Sequence, residues 1–207
     1  KQNSNYAEAY YSRGMAYYKA GKLPDAINDM NKAVSLNNNN GQWYYNLAKC
    51  LDDKMDYTNA YNAYSSVLKT DTLHTLPDAL YYRGRSGYAA QNYTDALSDY
   101  LQCTSSGLDS VSVSFNNEMG NIYLNLGKYD SAIVWYQKQL SKDAGNGYAM
   151  YGIASSSFLK GNTSEALGWF EKSFQTKAVS STEIKKDKHI ANLRNEKSFK
   201  ALLKKYY

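Results

Sequence analysis

The chain has 207 residues, 43% of them hydrophobic, with only 13 glycines and 2 prolines. This composition excludes a disordered or collagen-like chain and indicates a folded protein. The net charge is +5, but residues 177–207 alone carry nine Lys or Arg against three Asp or Glu, whereas the rest carries fifteen against sixteen. Because the body lacks the basic stripe typical of nucleic-acid-binding proteins, we expect no nucleic-acid partner.

Five alanines recur along the chain at intervals of 34, 36, 36 and 34 residues. They are Ala26, Ala60, Ala96, Ala132 and Ala166. Each follows a turn-like stretch, and each is followed four residues later by a large side chain. These large residues are Met30, Tyr64, Tyr100, Tyr136 and Phe170. A period near 34 residues predicts a stack of helical hairpins that forms one elongated domain.

The alanines define a common frame for five units, which follow a lead-in at residues 1–6. The units span residues 7–40, 41–74, 77–110, 113–146 and 147–180. Small residues also occupy position 8 of the frame, namely Gly14, Ala48, Gly84, Gly120 and Ala154. Small residues at a helix crossing, flanked by large ones, predict one antiparallel helix pair in each unit.

This pattern resembles the tetratricopeptide repeat. The small residues at positions 8 and 20, the aromatic residues near positions 4, 11 and 24, and the turn at 127–132 carry the resemblance, which covers residues 7–180. It implies an all-α, right-handed solenoid of five hairpins whose first helices line a concave face. The proline often found near position 32 is absent from all five units, and spacers precede unit three (Thr75-Leu76) and unit four (Val111-Ser112).

The period stops after Ser180, where apolar residues stand in an otherwise charged segment. They are Ile190, Leu193, Phe199, Leu202 and Leu203. The segment resembles the endings of many bacterial repeat proteins. An amphipathic segment can cover the open face of the last hairpin, so we expect residues 181–207 to form a helical cap.

Motifs for catalysis or cofactor binding are missing from the sequence. His74 and His189 stand far apart, without metal-ligand spacing, and no Cys-x-x-Cys or glycine-rich phosphate loop occurs. Cys50 and Cys103 fall on helices that are not nearest neighbours, so we expect buried free thiols. We therefore expect no enzyme activity, no cofactor and no metal.

Positions 5, 9 and 12 of the first helices predict a binding surface on the concave face. The six candidate peptide-binding residues are Tyr11, Tyr45, Lys49, Tyr81, Arg85 and Tyr88. Tyrosine rings are rigid anchors for a peptide, and the two cations could hold a carboxylate or phosphate of an acidic segment. Two simpler interpretations remain open: the tyrosines pack against one another, and the cations pair with Asp52 and Asp78.

The sequence thus predicts a non-enzymatic scaffold that binds a protein, through a peptide or an extended segment, on its concave face. The alternative is a structural subunit of a larger assembly, such as a cell-envelope complex, that docks through its convex face or its basic C-terminal segment. No apolar run approaches the ~18 residues of a membrane span. The chain starts at Lys1 without Met, which fits either a removed leader or a trimmed chain. We expect export to the periplasm or envelope rather than the cytoplasm.

Overall fold

The computed structural model describes the backbone of residues 2–71 and 75–207 and the side chains from residue 6 onward within those ranges. In these ranges every regular element is helical. The chain divides into two compact units, Lys1–Val111 and Ser112–Tyr207. The boundary falls within the spacer that interrupts the sequence frame. His74 lies outside the described residues.

The first compact unit contains three antiparallel helical hairpins. Their helices are α1 (Gln2–Lys19), α2 (Leu23–Leu36), α3 (Gly41–Asp53), α4 (Tyr57–Thr70), α5 (Ala79–Ala89) and α6 (Tyr93–Ser105). Within the unit, α2 packs on α3 and α4 packs on α5, so each hairpin stacks on the next.

The second compact unit contains two hairpins followed by a capping segment. The hairpin helices are α7 (Phe115–Asn125), α8 (Tyr129–Lys142), α9 (Gly147–Leu159) and α10 (Thr163–Thr176). The capping segment comprises α11 (Ser181–Lys186), two 3₁₀ turns (Lys188–Ile190 and Leu193–Asn195) and α12 (Lys197–Tyr206). The predicted all-α class, with five hairpins and a C-terminal cap, is confirmed.

Each hairpin turns through one residue with left-handed backbone conformation. These residues are Gly21, Met55, Gln91, Gly127 and Gly161, with φ between 62° and 90°. In the first turn, the Gly21 N–H donates to the Tyr18 carbonyl, and the Lys22 N–H donates to the Tyr17 carbonyl. This pair of hydrogen bonds ends the first helix of the hairpin in a Schellman motif. Glycine adopts the conformation without steric cost, whereas Met55 and Gln91 do not.

The two helices of each hairpin meet at the small residues that the frame predicts. The five repeat alanines are fully buried, and the large residues four positions later are at most 1% exposed. At position 8, a Cβ atom on Gly84 would lie 2.8 Å from Cδ2 of Tyr100. The helices of this hairpin can therefore approach closely only because Gly84 has no side chain.

The capping segment covers the end of the last hairpin. Ile184, Ile190, Leu193 and Phe199 are fully buried in one cluster with residues of α9 and α10. The Phe199 ring contacts the Phe170 ring edge-to-face, with centroids 5.1 Å apart. The cap is not a single amphipathic helix. It consists of two short α-helices separated by two 3₁₀ turns, and this bent path places the apolar side chains against the last hairpin.

Both cysteines are free and buried, as predicted. Cys50 lies in α3 with its Sγ 3.6 Å from Sδ of Met30, and Cys103 lies in α6. Burial raises the pKa of each thiol to about 12, which leaves both almost entirely protonated at neutral pH.

Candidate functional site

The first helices of the three hairpins in the first unit, α1, α3 and α5, are joined side by side through polar contacts. Between α1 and α3, the Tyr18 hydroxyl donates to Oδ2 of Asp53 at 2.6 Å. Between α3 and α5, the Ser86 hydroxyl donates to Oδ1 of Asp52 at 2.7 Å. We call the surface formed by these three helices the first-helix face. All six candidate residues belong to it.

The three candidate tyrosines at position 5 are buried to different degrees. Tyr11 is half-buried and stacks on Trp43, with ring centroids 4.9 Å apart. Tyr45 and Tyr81 are only 9% and 4% exposed, so little of either ring faces solvent. The rings of Tyr45 and Tyr81 therefore contribute mainly to packing between helices.

The hydroxyl of Tyr45 is also engaged by the neighbouring repeat. It donates to Oδ2 of Asp78 at 2.7 Å. Burial, reinforced by this hydrogen bond, raises the pKa of Tyr45 well above its ordinary value. The phenol stays neutral at physiological pH and acts as a fixed hydrogen-bond donor between units two and three.

The two candidate cations, in contrast, are exposed on adjacent helices. Nζ of Lys49 lies 5.8 Å from the ring centroid of Tyr45. Cζ of Arg85 lies 5.9 Å from the centroid of Tyr81 and 5.8 Å from that of Tyr82. Each cation thus rests over a tyrosine of its own helix, an arrangement that holds the charge near the surface at a defined place.

The sixth candidate, Tyr88, lies at the end of α5. It is half-buried, and its ring centroid is 5.5 Å from that of Tyr93 at the start of α6. The structure therefore places Tyr88 at the hairpin turn of unit three, where its ring packs on the second helix as well as bordering the first-helix face.

Three carboxylates share the first-helix face with the two cations. Asp53 accepts a hydrogen bond from Tyr18 of α1, and Asp78 accepts one from Tyr45 of α3. Asp52 accepts one from the Ser86 hydroxyl of α5. Burial raises the pKa of Asp52, while the Ser86 hydrogen bond and the charge of Arg85 oppose that shift. The face therefore carries mixed charge rather than a uniformly basic surface.

Hydrogen bonds from tyrosine to carboxylate also recur outside this face. Tyr151 donates to Asp187 at 2.9 Å, and Tyr206 donates to Glu171 at 3.0 Å. On the second helices of the first unit, Tyr61 donates to Asp95 at 3.3 Å. The partners lie 34 to 36 residues apart, so tyrosine hydroxyls join the second hairpin to the third and the last hairpin to the cap. Sequence reasoning missed this role, although the spacing between tyrosine and acid could have indicated it.

Family comparisons agree with the hairpin architecture. Three models of the tetratricopeptide repeat match residues 7–40, 45–102 and 113–144, and together they cover more than half of the chain. The protein belongs to the tetratricopeptide repeat family. The resemblance drawn from the small-residue frame is confirmed.

Solved structures of other tetratricopeptide repeat proteins have the same fold. A MamA protein is 23% identical with a TM-score of 0.70, covering 83% of this chain and 91% of its own. A MamA from Desulfovibrio magneticus RS-1 is 18% identical with a TM-score of 0.69, covering 83% and 94%. YrrB, a tetratricopeptide repeat protein with an unusual peptide-binding site, is 18% identical with a TM-score of 0.71, covering 84% and 88%. No curated protein sequence matches the chain.

Two features are absent from the described residues of this tetratricopeptide repeat protein. No helix in those ranges is long and apolar enough to cross a membrane. The same ranges contain no group of three or more His, Cys, Asp or Glu side chains that could hold a metal ion. The family and its fold indicate a protein-interaction scaffold.

Proposed function

We propose that the protein is a non-enzymatic scaffold that binds an extended partner segment on its first-helix face. The observation that carries the proposal is the exposure of Lys49 and Arg85 at the same repeat position on neighbouring helices. Each is held over a tyrosine ring, so the two charges offer a defined pair of contacts to a bound segment.

The binding surface in this proposal is narrower than the full set of six residues. Lys49 and Arg85 contact the partner directly, and the half-buried rings of Tyr11 and Tyr88 supply apolar area at either side. Tyr45 and Tyr81 support the cations from below because their rings are buried. YrrB, which has the same fold, is a precedent for a peptide-binding site on such a protein.

The charge distribution specifies the partner's chemistry. An acidic side chain or carboxylate of the partner pairs with Lys49 and Arg85, since guanidinium and ammonium groups bind carboxylates through charge-assisted hydrogen bonds. Asp52, Asp53 and Asp78 lie on the same face and repel a uniformly acidic segment. The proposed partner segment therefore carries isolated acidic residues between neutral ones.

The test begins with a partner captured by the intact protein, followed by affinity measurements on single variants. Arg85→Ala and Lys49→Ala should each weaken binding by about tenfold, because an anchor near an interface centre contributes at least ~1.4 kcal/mol. Raising the salt concentration should weaken wild-type binding and narrow the difference between wild type and variants.

Lys32→Ala is the matched control, because Lys32 is an exposed lysine on α2 rather than on the first-helix face. It should leave the affinity unchanged. If Arg85→Ala and Lys49→Ala both bind as wild type does, the partner does not use this face and the proposal is wrong. Tyr81→Ala is unsuitable, because loss of a buried ring would also destabilise the repeat.

A further inference from the structure

A groove separate from the first-helix face runs between α2 and α4. It is a trough made of two neighbouring depressions of about 420 Å³ and 430 Å³, both lined by Tyr44 and Ser66. Side chains of α3, among them Leu47 and Leu51, form its floor, while α2 and α4 form its walls. We call this trough the second-helix groove.

The walls of the second-helix groove carry amide side chains on both sides. Asn31 projects from α2 and Asn62 from α4, and both are exposed, whereas the exposed Asn59 of α4 donates through its Nδ2 to Asp56. A side-chain amide both donates and accepts hydrogen bonds, so it can pair with a peptide unit of an extended chain. Leu47 and Leu51 beneath them are only 3% and 5% exposed, so they close the floor of the groove, and the half-buried ring of Tyr44 offers apolar contact to side chains of that chain.

The two ends of the groove carry opposite charges. Asp56 lines one end, at the start of α4, and the exposed Lys69 lines the other end, near the end of α4. Along a helix this separation corresponds to about 20 Å. An extended chain covers that distance with about six residues.

We propose that the second-helix groove binds an extended peptide segment of about six residues. Its backbone pairs with Asn31 and Asn62, and apolar side chains contact the half-buried ring of Tyr44. An acidic residue pairs with Lys69 at one end of the segment, and a basic residue lies toward the Asp56 end. The lining favours a peptide over a saccharide, because Tyr44 is the one aromatic among the described lining residues, and sugars stack on aromatic faces.

A library of displayed heptapeptides, selected against the whole protein, supplies the probe. Selected sequences are synthesised with a fluorophore, and their affinity is measured by anisotropy. The double variant Asn31→Ala/Asn62→Ala should weaken binding by about tenfold or more, since each substitution removes a hydrogen-bonding partner. Asn28→Ala is the matched control, an exposed asparagine of α2 that does not line the groove, and it should bind as wild type does.

A charge exchange tests the orientation of the peptide. Lys69→Glu should weaken, by about tenfold, the binding of peptides that carry an acidic residue at one end. Peptides in which that acidic residue is replaced by lysine should bind the Lys69→Glu variant with restored affinity. Lys49→Ala and Arg85→Ala should change neither affinity, which separates this groove from the first-helix face. Thermal melts of all variants establish that each is folded.

Three outcomes would overturn the proposal. One is that no peptide is enriched, or that the enriched peptides bind the groove variants as tightly as they bind the wild-type protein. Another is binding of an oligosaccharide panel that is lost on Tyr44→Ala, which would assign the groove to a saccharide. The third is concentration-dependent self-association that is abolished by Asn62→Trp, which would assign it to a second copy of the chain.

Discussion

At the scale of single residues, several tyrosines serve this protein as polar links, either between neighbouring hairpins or between the last hairpin and the cap. A tyrosine ring fills the space between helices while its hydroxyl reaches a carboxylate about one repeat away, as Tyr18 does to Asp53 and Tyr151 does to Asp187. The carboxylate accepts its hydrogen bond from a neutral phenol and needs no cation for that contact. Some of the 22 tyrosines thus combine a packing role with a polar role.

Removal of one such hydroxyl should weaken the contact between repeats. Tyr45→Phe keeps the buried ring but leaves the Asp78 carboxylate without its donor, at a cost of about 0.5–1.5 kcal/mol in the free energy of unfolding. Urea denaturation of Tyr45→Phe, Asp78→Asn and the double variant measures the coupling between the two side chains. Strictly additive costs would show that the hydrogen bond contributes nothing to stability.

The turn of the second hairpin offers a stabilising substitution. Met55 has φ of 62° and its side chain is 74% exposed, so it bears the steric cost of left-handed backbone while burying little surface. Met55→Gly should raise the free energy of unfolding by about 0.5–1 kcal/mol, after the larger entropy of glycine in the unfolded chain is subtracted. The exposed Lys54→Gly, which has φ of −79°, is the control and should be destabilising. An unchanged or lower melting temperature for Met55→Gly would contradict the argument.

At the scale of elements, the cap is attached to the last hairpin through polar as well as apolar contacts. Oδ2 of Asp187 accepts a hydrogen bond from the Tyr151 hydroxyl at 2.9 Å. Oδ1 of the same carboxylate accepts one from the His189 backbone N–H at 2.8 Å. One carboxylate therefore ties α9 to the first 3₁₀ turn of the cap. The capping box of Ser180 and Glu183 begins α11 independently of these contacts.

The partly buried imidazole of His189 makes the cap sensitive to pH. Burial lowers the pKa of His189 below its ordinary value of 6.5, although the charge of Asp187 opposes the shift. The unfolded chain therefore binds a proton at His189 more readily than the folded chain does. The stability that the neutral His189 imidazole contributes is complete above pH 6.5 and is lost as pH falls through the folded-state pKa.

His189→Gln should therefore flatten the decline in unfolding free energy between pH 7 and the acidic range. Urea denaturation of both proteins at a series of pH values measures that decline. Carboxylates remote from His189 contribute equally in both proteins, so their effect cancels in the comparison. Identical pH profiles would show that the His189 environment does not differ between the folded and unfolded chain.

At the scale of the whole molecule, the repeat frame could be predicted because its cause is local. Gly84 and Ala96 must be small wherever two helices cross, so the spacing appears directly in the sequence. The partners of the tyrosine hydroxyls could be predicted only by pairing each tyrosine with an acid about one repeat away. The second-helix groove could not be predicted at all, because its depth depends on how far Tyr44 extends from α3 and how far Ala63 and Ser66 extend from α4.

The two buried thiols test whether a disturbance stays local, as expected when each hairpin contacts only its neighbours. Gly84→Leu would force a side chain against Tyr100 in α6, the helix that carries Cys103. Overpacking lowers the free energy of opening the third hairpin by about 1–3 kcal/mol. The fraction of molecules in which that hairpin is open therefore rises by about five- to 150-fold. Labelling of Cys103 by a thiol reagent at pH 8 should accelerate by that factor, and labelling of Cys50 should accelerate much less.

Ala89→Leu is the control, because Ala89 is an exposed residue of the same helix and receives the same added side chain. It should leave both labelling rates unchanged. Mass spectrometry of tryptic peptides separates the two thiols, and both are fully buried in the wild-type protein, so each rate reports opening of its own repeat. Equal acceleration of Cys50 and Cys103 by Gly84→Leu would mean that the first compact unit opens as one cooperative block.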